Sequence, residues 1–184
     1  ATVRIDYRKA TQEATTYLLE HEAKKVALVI GSQLTTVNKD FRIPGYQDAL
    51  EAAGVAFDDG LIFEAHDSYS EGYELAETIK NAGVDAAFVS DDGIAAGLLN
   101  GLTDLGVDVP GEFQLITGND TKLAEVTRPM LTSITQPLYD IGAVSMRLLT
   151  KLMNGDQEES QEATTIEGSS IILNHGFVKR QTTH

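Results

Sequence analysis

Polar side chains able to bind a small molecule follow most of the apolar, strand-like segments of this 184-residue chain. Amides, carboxylates and an arginine fork are the groups that hold sugar hydroxyls or an anion. For any one of them alone, helix capping is the better explanation, but five strand ends with the same chemistry favour a small-molecule site. The groups are Gly31-Ser32-Gln33 with Asn38 and Arg42 after them, Glu64 to Asp67, Ser90-Asp91-Asp92, Gly118-Asn119-Asp120 and Gln136.

Other chemistries have little support. A nucleophilic enzyme lacks both a cysteine and a Gly-x-Ser-x-Gly turn, and the common Gly-rich phosphate loops are absent. Asp91-Asp92 has the composition of a magnesium or phospho-acceptor site, but no second acidic pair shares a strand end and no lysine follows a later strand. We therefore expect no enzyme and no cofactor. We also expect no metal site, because the four histidines share no ligand spacing: His21, His66, His175 and His184.

The elements that position these residues alternate between strands and helices. The sequence predicts strands at 26–31, 61–65, 85–90, 113–118 and 131–134, and one long or two short strands within 169–183. It predicts helices from Asp6, over 41–53, from Ser68 to about Asn81, from Gly93 to Leu105 and from about Leu138 to Met153, with no strand before the first helix. This alternation predicts a doubly wound, parallel α/β sheet, in which ligands bind at the carboxyl ends of the strands.

The stretch from Arg128 to Lys151 joins a short strand to a long amphipathic helix through Gln136-Pro137. Proline suits the first turn of a helix because it lacks an N–H and has a fixed φ. Apolar residues at helical spacing predict one buried face. These are Leu138, Ile141, Val144, Ser145, Leu148, Leu149 and Leu152. The acidic stretch 155–165 that follows is predicted to be a solvated loop.

Composition narrows the classes of partner. The net charge is −14, from 28 acidic and 14 basic residues. Because phosphate contacts need clustered Lys and Arg, we do not expect this chain itself to bind nucleic acid. The absence of cysteine suits a reducing compartment, and we expect a cytoplasmic protein. No apolar run has the length of a membrane span, so no membrane association is expected.

Four blocks of the sequence resemble the effector-binding core of the LacI/GalR family of bacterial transcription regulators. They are FRIPGYQDAL (41–50), FVSDDGIAAGLLNGLTDLGVDVPGEFQLITGND (88–120), RPMLTSITQPLYDIGAVSMRLLTK (128–151) and FVKRQTT (177–183). The resemblance implies a periplasmic-binding-protein-like fold with two lobes behind a helix-turn-helix headpiece. It assigns 1–135 to the C-terminal lobe, 136–168 to the N-terminal lobe and 169–184 to closing strands, with the headpiece and most of the N-terminal lobe absent.

The resemblance also implies the effector contacts, which fall on Asn38, Arg42, Asp91, Asn119 and Gln136. Asp91 stands where the family usually has Asn, and Asn119 where it usually has Asp. The expected effector is a sugar or a sugar phosphate, which shifts the populations of lobe arrangements in a homodimer. Operator DNA would bind only through the headpiece. A sugar-binding protein of an uptake system is the alternative with the same fold, and a phosphate-transferring enzyme at Asp91 or Asp92 is a third.

In members of the family that mediate catabolite control, the helix after Gln136 meets a serine-phosphorylated phosphocarrier protein. The matching positions here are Leu138, Tyr139, Asp140 and Arg147, where Arg147 would meet the phosphate. An ordinary exposed helix face explains these residues equally well. Because the lobe that should cover this helix is largely missing from the sequence, we expect the helix to be mobile or to pack against another copy of the chain.

Overall fold

The computed structural model describes residues 2–66, 68–154, 165–167 and 170–184. The chain forms two compact units. The smaller unit consists of Ala1–Asp6 and Gln136–Gly176, and the larger unit of Tyr7–Thr135 and Phe177–His184. The chain therefore passes between the units three times, once at the boundary of 135 and 136 that the sequence suggests. Residues 1–6, however, belong with 136–176 and not with the segment that follows them.

The larger unit is built on a six-stranded sheet of order β3-β2-β4-β5-β6-β9, numbered along the chain. Strands β2 to β6 pair in parallel. Every residue of β2, β4 and β5 is buried, which fits the continuous apolar sequences of β2 and β4. The strands are β2 (Val26–Ile30), β3 (Ile62–Glu64), β4 (Ala86–Val89), β5 (Gln114–Thr117), β6 (Thr132–Thr135) and β9 (Gly176–Val178).

Five helices of the larger unit connect and cover these strands, which confirms the doubly wound fold. They are α1 (Tyr7–Glu20), α2 (Ile43–Ala52), α3 (Tyr69–Asn81), α4 (Asp92–Asp104) and α5 (Lys122–Val126). The start of α3 is capped as its spacing predicts, because Ser68 Oγ accepts a hydrogen bond from the Glu71 N–H at 3.1 Å. The sequence does not predict the five-residue helix α5, since it is too short to show helical periodicity.

A π-helical turn, Asn38–Arg42, precedes α2, where the sequence predicts a helix only from residue 41. Pro44 lies in the first turn of α2, but the backbone of Arg42 before it is already helical, so the π-helical turn and α2 form one continuous helix. Gly45 lets α2 approach α1 closely, because a Cβ there would lie 2.2 Å from the Arg8 carbonyl oxygen. The π-helical turn thus ends where the helix pair comes into close contact.

Tyr46 is a polar anchor in the core of the larger unit. This side chain is fully buried, and its hydroxyl donates to the Val26 carbonyl oxygen at 2.8 Å. Burial, assisted by the charge of Asp58, raises the pKa of Tyr46 to about 12. The hydrogen bond ties α2 to the first residue of β2.

The smaller unit contains a three-stranded sheet of order β1-β8-β7 and one long helix. Strand β1 pairs in parallel with β8, and β7 pairs antiparallel with β8. A strand therefore precedes the first helix, and the expectation that none does is wrong. Residues 155–164 lie outside the described residues, whereas 165–167 form a strand. The elements are β1 (Thr2–Ile5), β7 (Thr165–Glu167), β8 (Ser170–Leu173) and α6 (Leu138–Asn154).

Helix α6 forms where it is predicted, but its apolar face is only partly buried. Leu138, Leu149 and Leu152 are 61%, 51% and 62% exposed. No described side chain of the helix is fully buried, and the other members of that face are partly buried: Ile141, Val144, Ser145 and Leu148. A three-stranded sheet offers too little surface to cover a helix of 17 residues. The expectation that α6 is mobile or packs against a second copy stays a prediction. Within the described residues, no helix is both long and apolar enough to cross a membrane.

Candidate functional site

Four of the five predicted effector contacts lie in the larger unit, after the carboxyl ends of β2, β4 and β5. Asn38 and Arg42 follow β2, Asp91 follows β4 and Asn119 follows β5. Gln136, the fifth, is the first residue of the smaller unit's second segment. Glu64, at the end of β3, accepts a hydrogen bond from the Gln33 N–H at 3.2 Å. Asp67 lies outside the described residues.

Asn38 and Arg42 form one unit on the π-helical turn. Asn38 is 3% exposed and donates from Nδ2 to the Ser32 carbonyl oxygen at 2.9 Å. Its Oδ1 accepts from Arg42 Nη1, also at 2.9 Å. The Arg42 guanidinium carbon lies 5.0 Å from the centroid of the Tyr7 ring, within the range of a cation–π interaction. The arginine fork is therefore held on two sides, as recognition of a planar anionic or polar ligand requires.

Asp91 is both a helix cap and a member of the group of polar side chains after the strand ends. We call this group, Asn38, Arg42, Asp91 and Asn119, the polar cluster. Asp91 Oδ1 accepts from the N–H groups of Gly93 at 2.7 Å and Ile94 at 3.2 Å, which caps α4. Its Oδ2 accepts from Asn119 Nδ2 at 3.3 Å. Asp91 and Asn119 are thus hydrogen-bonded to each other. The negative charge of Asp91 lies at the N-terminus of α4, where the helix dipole favours it.

Asp92, the neighbour of Asp91, does not face a ligand. It is 2% exposed, and its carboxylate accepts three hydrogen bonds. These come from Thr117 Oγ1 at 2.6 Å, the Thr121 N–H at 2.6 Å and Thr121 Oγ1 at 2.7 Å. A carboxylate committed to three protein donors is not available to magnesium or to a phosphoryl group. In the part of the chain that the structure describes, no group of three His, Asp or Glu side chains is placed to hold a metal ion.

The loop that carries Asn119, residues 118–121, is fixed from several directions; we call it the effector loop. Gly118 packs so closely on β4 that a Cβ would lie 2.9 Å from the Ser90 carbonyl oxygen. Asp120 has φ of +54° and pairs with Arg180, whose Nη1 lies 2.6 Å from Asp120 Oδ1. The effector loop therefore has partners on β4, α4 and the C-terminal segment.

Sequence reasoning misses several residues that build this site. Tyr7, Thr117 and Thr121 give no signal, because aromatic and hydroxyl side chains are common in any helix or strand. The sequence presents Asp92 only as one half of an acidic pair with Asp91. Arg180 has one signal, its place in the closing block FVKRQTT.

The four positions predicted to meet a partner protein all lie on α6 and are exposed. Tyr139 is 87% exposed and Leu138 61%. Asp140 and Arg147 are exposed as well, and Asp140 lies in the first turn of the helix. The structure thus leaves this group of side chains accessible.

Comparison with known proteins identifies the family to which this fold belongs. A family model for a periplasmic binding protein-like domain matches residues 15–173. Catabolite control protein A of Streptococcus mutans is 46% identical over 182 residues, which are 99% of this chain and 52% of that protein. The chain therefore spans about half the length of this relative.

Two solved structures are informative. The crystal structure of transcription regulator CcpA of Lactococcus lactis matches with a TM-score of 0.90 and 41% identity, over 99% of this chain and 64% of that one. The transcriptional regulator CelR in complex with cellobiose matches with a TM-score of 0.85 and 28% identity, over 98% of this chain and 53% of that one. The chain belongs to the family of periplasmic binding protein-like domains and, within it, resembles the core of LacI-type transcription regulators such as catabolite control protein A.

Proposed function

We propose that this chain is the effector-sensing and dimerising core of a LacI-type transcription regulator, without catalytic activity of its own. The observation that carries the proposal is the polar cluster at the carboxyl edge of the larger sheet. It consists of two hydrogen-bonded pairs after neighbouring strands: Arg42 with Asn38, which is also bound to the backbone, and Asn119 with Asp91. A preorganised set of planar polar groups suits a small polar ligand.

The proposed effector is a sugar or a sugar phosphate. Amide and carboxylate groups pair with sugar hydroxyls, and the Arg42 fork suits a phosphate. The complex of the related CelR with cellobiose supports a sugar in this fold. We include Gln136 as a fifth contact, on the grounds of the family resemblance alone.

In this proposal the effector shifts the populations of lobe arrangements in a homodimer, and the dimer passes this shift to DNA-binding headpieces. Exposed apolar side chains on helices that pack against α4 support dimerisation. Tyr69 and Tyr73 on α3 are 46% and 39% exposed, and Val126 on α5 is 55% exposed. The net charge of −14 supports DNA contact outside these residues only.

A sugar-binding protein of an uptake system has the same fold and the same kind of site. We favour the regulator because the related proteins compared above are regulators by name. An enzyme acting on phosphate is disfavoured by the three hydrogen bonds that occupy Asp92. A regulator of this type is expected to be cytoplasmic.

We predict that Arg42→Ala weakens effector binding at least tenfold, because a charge-assisted hydrogen bond contributes about 1.5–3 kcal/mol. The measurement is calorimetric titration of the full-length protein with cellobiose, ribose and glucose 6-phosphate. Arg42→Lys keeps the charge but loses the fork, so it is expected to recover only part of the affinity.

The matched control for Arg42 is Arg128→Ala. Arg128 donates to the carbonyl oxygens of Glu125 and Thr127, away from the polar cluster. Its replacement is expected to leave affinity unchanged. Failure of the wild-type protein to bind any sugar or sugar phosphate would contradict the proposed function, and equal losses in both variants would contradict the role of Arg42.

We further propose that the exposed positions Leu138, Tyr139, Asp140 and Arg147 of α6 bind a serine-phosphorylated phosphocarrier protein. Their exposure supports the proposal, since a protein-binding face needs accessible apolar and aromatic anchors beside a cation for the phosphate. The phosphocarrier protein would then be a second input beside the small effector.

Arg147→Ala is predicted to weaken binding of the phosphorylated carrier at least tenfold and to leave binding of the unphosphorylated carrier unchanged. Surface-immobilised carrier and full-length protein in solution give both affinities. Lys151→Ala, one turn further along α6, removes the same charge and is expected to have little effect. If the two variants lose equal affinity, general attraction to the basic residues of α6 explains the binding and the assignment of Arg147 is wrong.

A further inference from the structure

We propose that Arg180 is a positioning residue for the effector loop. Through Asp120, it fixes the direction in which Asn119 presents its amide to the ligand. This inference rests on the proposed function in one respect only, the role of Asn119 as an effector contact. The geometry that links Arg180 to Asn119 is independent of it.

Three successive residues of the effector loop bind three different partners. Asn119 donates to Asp91, Asp120 pairs with Arg180, and Thr121 donates from both its N–H and its hydroxyl to Asp92. The hydrogen bonds of Asn119 and Thr121 lead to α4 and its cap. The contact of Asp120 Oδ1 with Arg180 is an ion pair that lacks hydrogen-bond geometry, and it leads to the C-terminal segment. Asp120 therefore attaches the loop to a second part of the structure.

The backbone of Asp120 needs such an attachment. Its φ of +54° lies in the left-handed region, which is unfavourable for a residue with a Cβ. Asp tolerates this region better than most residues but does not prefer it. The ion pair with Arg180 is only 12% exposed on the arginine side and 20% on the aspartate side, so water screens it weakly. The pair thus stabilises the left-handed conformation that separates Asn119 from Thr121.

Arg180 can fix the loop because it is itself fixed. Its Nη1 donates to the Leu131 carbonyl oxygen, and its backbone N–H donates to Thr132 Oγ1, both at 2.9 Å. The residues after it are bound to the same strands. Thr182 Oγ1 accepts from the Thr132 N–H and donates to the Leu115 carbonyl oxygen, and it is fully buried. The C-terminal segment therefore carries Arg180 as a rigid part of the β5–β6 sheet.

Loss of Arg180 has a specific expected consequence. Asp120 would keep a partly buried carboxylate without its cation, which favours relaxation of the loop toward solvent. Asn119 would then occupy several orientations, and binding a ligand would require ordering it again. Affinity for the effector falls, while the hydrogen bonds of Asp91 to the α4 backbone remain.

The test uses the full-length protein labelled with ¹⁵N and three variants. Arg180→Met keeps the length of the side chain and removes its charge, and Arg180→Lys keeps the charge. Lys122→Ala is the control, because it removes an exposed ion pair with Glu125 on the neighbouring helix. The first readout, without ligand, is the pair of side-chain amide resonances of Asn119, assigned from Asn119→Ala. The second is the affinity for cellobiose and for glucose 6-phosphate.

In Arg180→Met, we expect the Asn119 side-chain resonances to shift and broaden, and the affinity for whichever probe binds to fall about tenfold. Arg180→Lys should return both readouts toward wild type, and Lys122→Ala should change neither. Asp120→Asn is a second route to the same state if Arg180→Met does not fold. Unchanged Asn119 resonances in both Arg180→Met and Asp120→Asn overturn the proposal. A wild-type protein that binds neither probe counts against the proposed function, while the ligand-free spectra still decide the role of Arg180.

Discussion

Gly97→Ala is expected to lower the free energy of unfolding of the larger unit by on the order of 4 kcal/mol. A Cβ at this position would lie 2.0 Å from the Tyr69 carbonyl oxygen and 2.9 Å from the Tyr73 backbone nitrogen. Both obstacles are backbone atoms of α3, so no side-chain rotation relieves the overlap. Helix α3 must move away from α4, and the close packing of the two helices on one face of the sheet is lost.

The control for Gly97 is Gly142→Ala on α6. Gly142 is also a helical glycine, but a Cβ there would meet no atom within 4 Å. Alanine there is expected to raise stability by up to about 1 kcal/mol through helix propensity alone. Urea unfolding followed by circular dichroism gives both values. A Gly97→Ala protein as stable as wild type would show that α3 and α4 do not approach as closely as the structure describes.

The helix pair α3–α4 also illustrates what sequence can predict. The capping spacing of Ser68 and Glu71 and the apolar periodicity of both helices are local signals, and they place both helices within about a residue of their observed bounds. The buried runs of β2 and β4 are equally local. The doubly wound fold follows because each such element must bury an apolar face against its neighbours.

Elements that depend on distant pairing are not predictable in this way. Strand β1 has four residues and pairs with β8, so that Thr2 lies opposite Ser170. Its own sequence does not distinguish it from a loop. Helix α6 shows the opposite case: periodicity identifies an apolar face, but periodicity contains no information on what covers that face.

The same distinction between local signals and distant pairing applies to the residues of the candidate site. Asn38, Arg42, Asp91 and Asn119 can be identified because they follow strands, and strand ends meet at one edge of a parallel sheet. The residues that hold them in place cannot be identified from the sequence in this way. Arg180 reaches the effector loop across 60 positions of sequence, and the hydrogen bonds of Asp92 connect α4 with the residues around β5. Such partners are defined by the fold, not by spacing.

Asp92→Ala is expected to lower the free energy of unfolding by about 2–3 kcal/mol, because it removes a buried carboxylate that accepts three hydrogen bonds and leaves the buried Thr117 hydroxyl without its acceptor. The donors are Thr117 Oγ1 and the N–H and hydroxyl of Thr121. Urea unfolding of the full-length protein measures the loss. Asp92→Asn is expected to recover only part of it, since an amide offers a single acceptor oxygen.

Asp91→Ala is the matched variant, because it removes the same charge from the adjacent position. It loses the cap of α4, which costs about 1 kcal/mol, and it releases the Asn119 amide. We therefore expect Asp91→Ala to affect effector affinity more than stability, and Asp92→Ala to affect stability first. If both variants lose about the same stability, Asp92 is only a second capping residue. The network that joins it to Thr117 and Thr121 would then contribute little to holding the effector loop against α4.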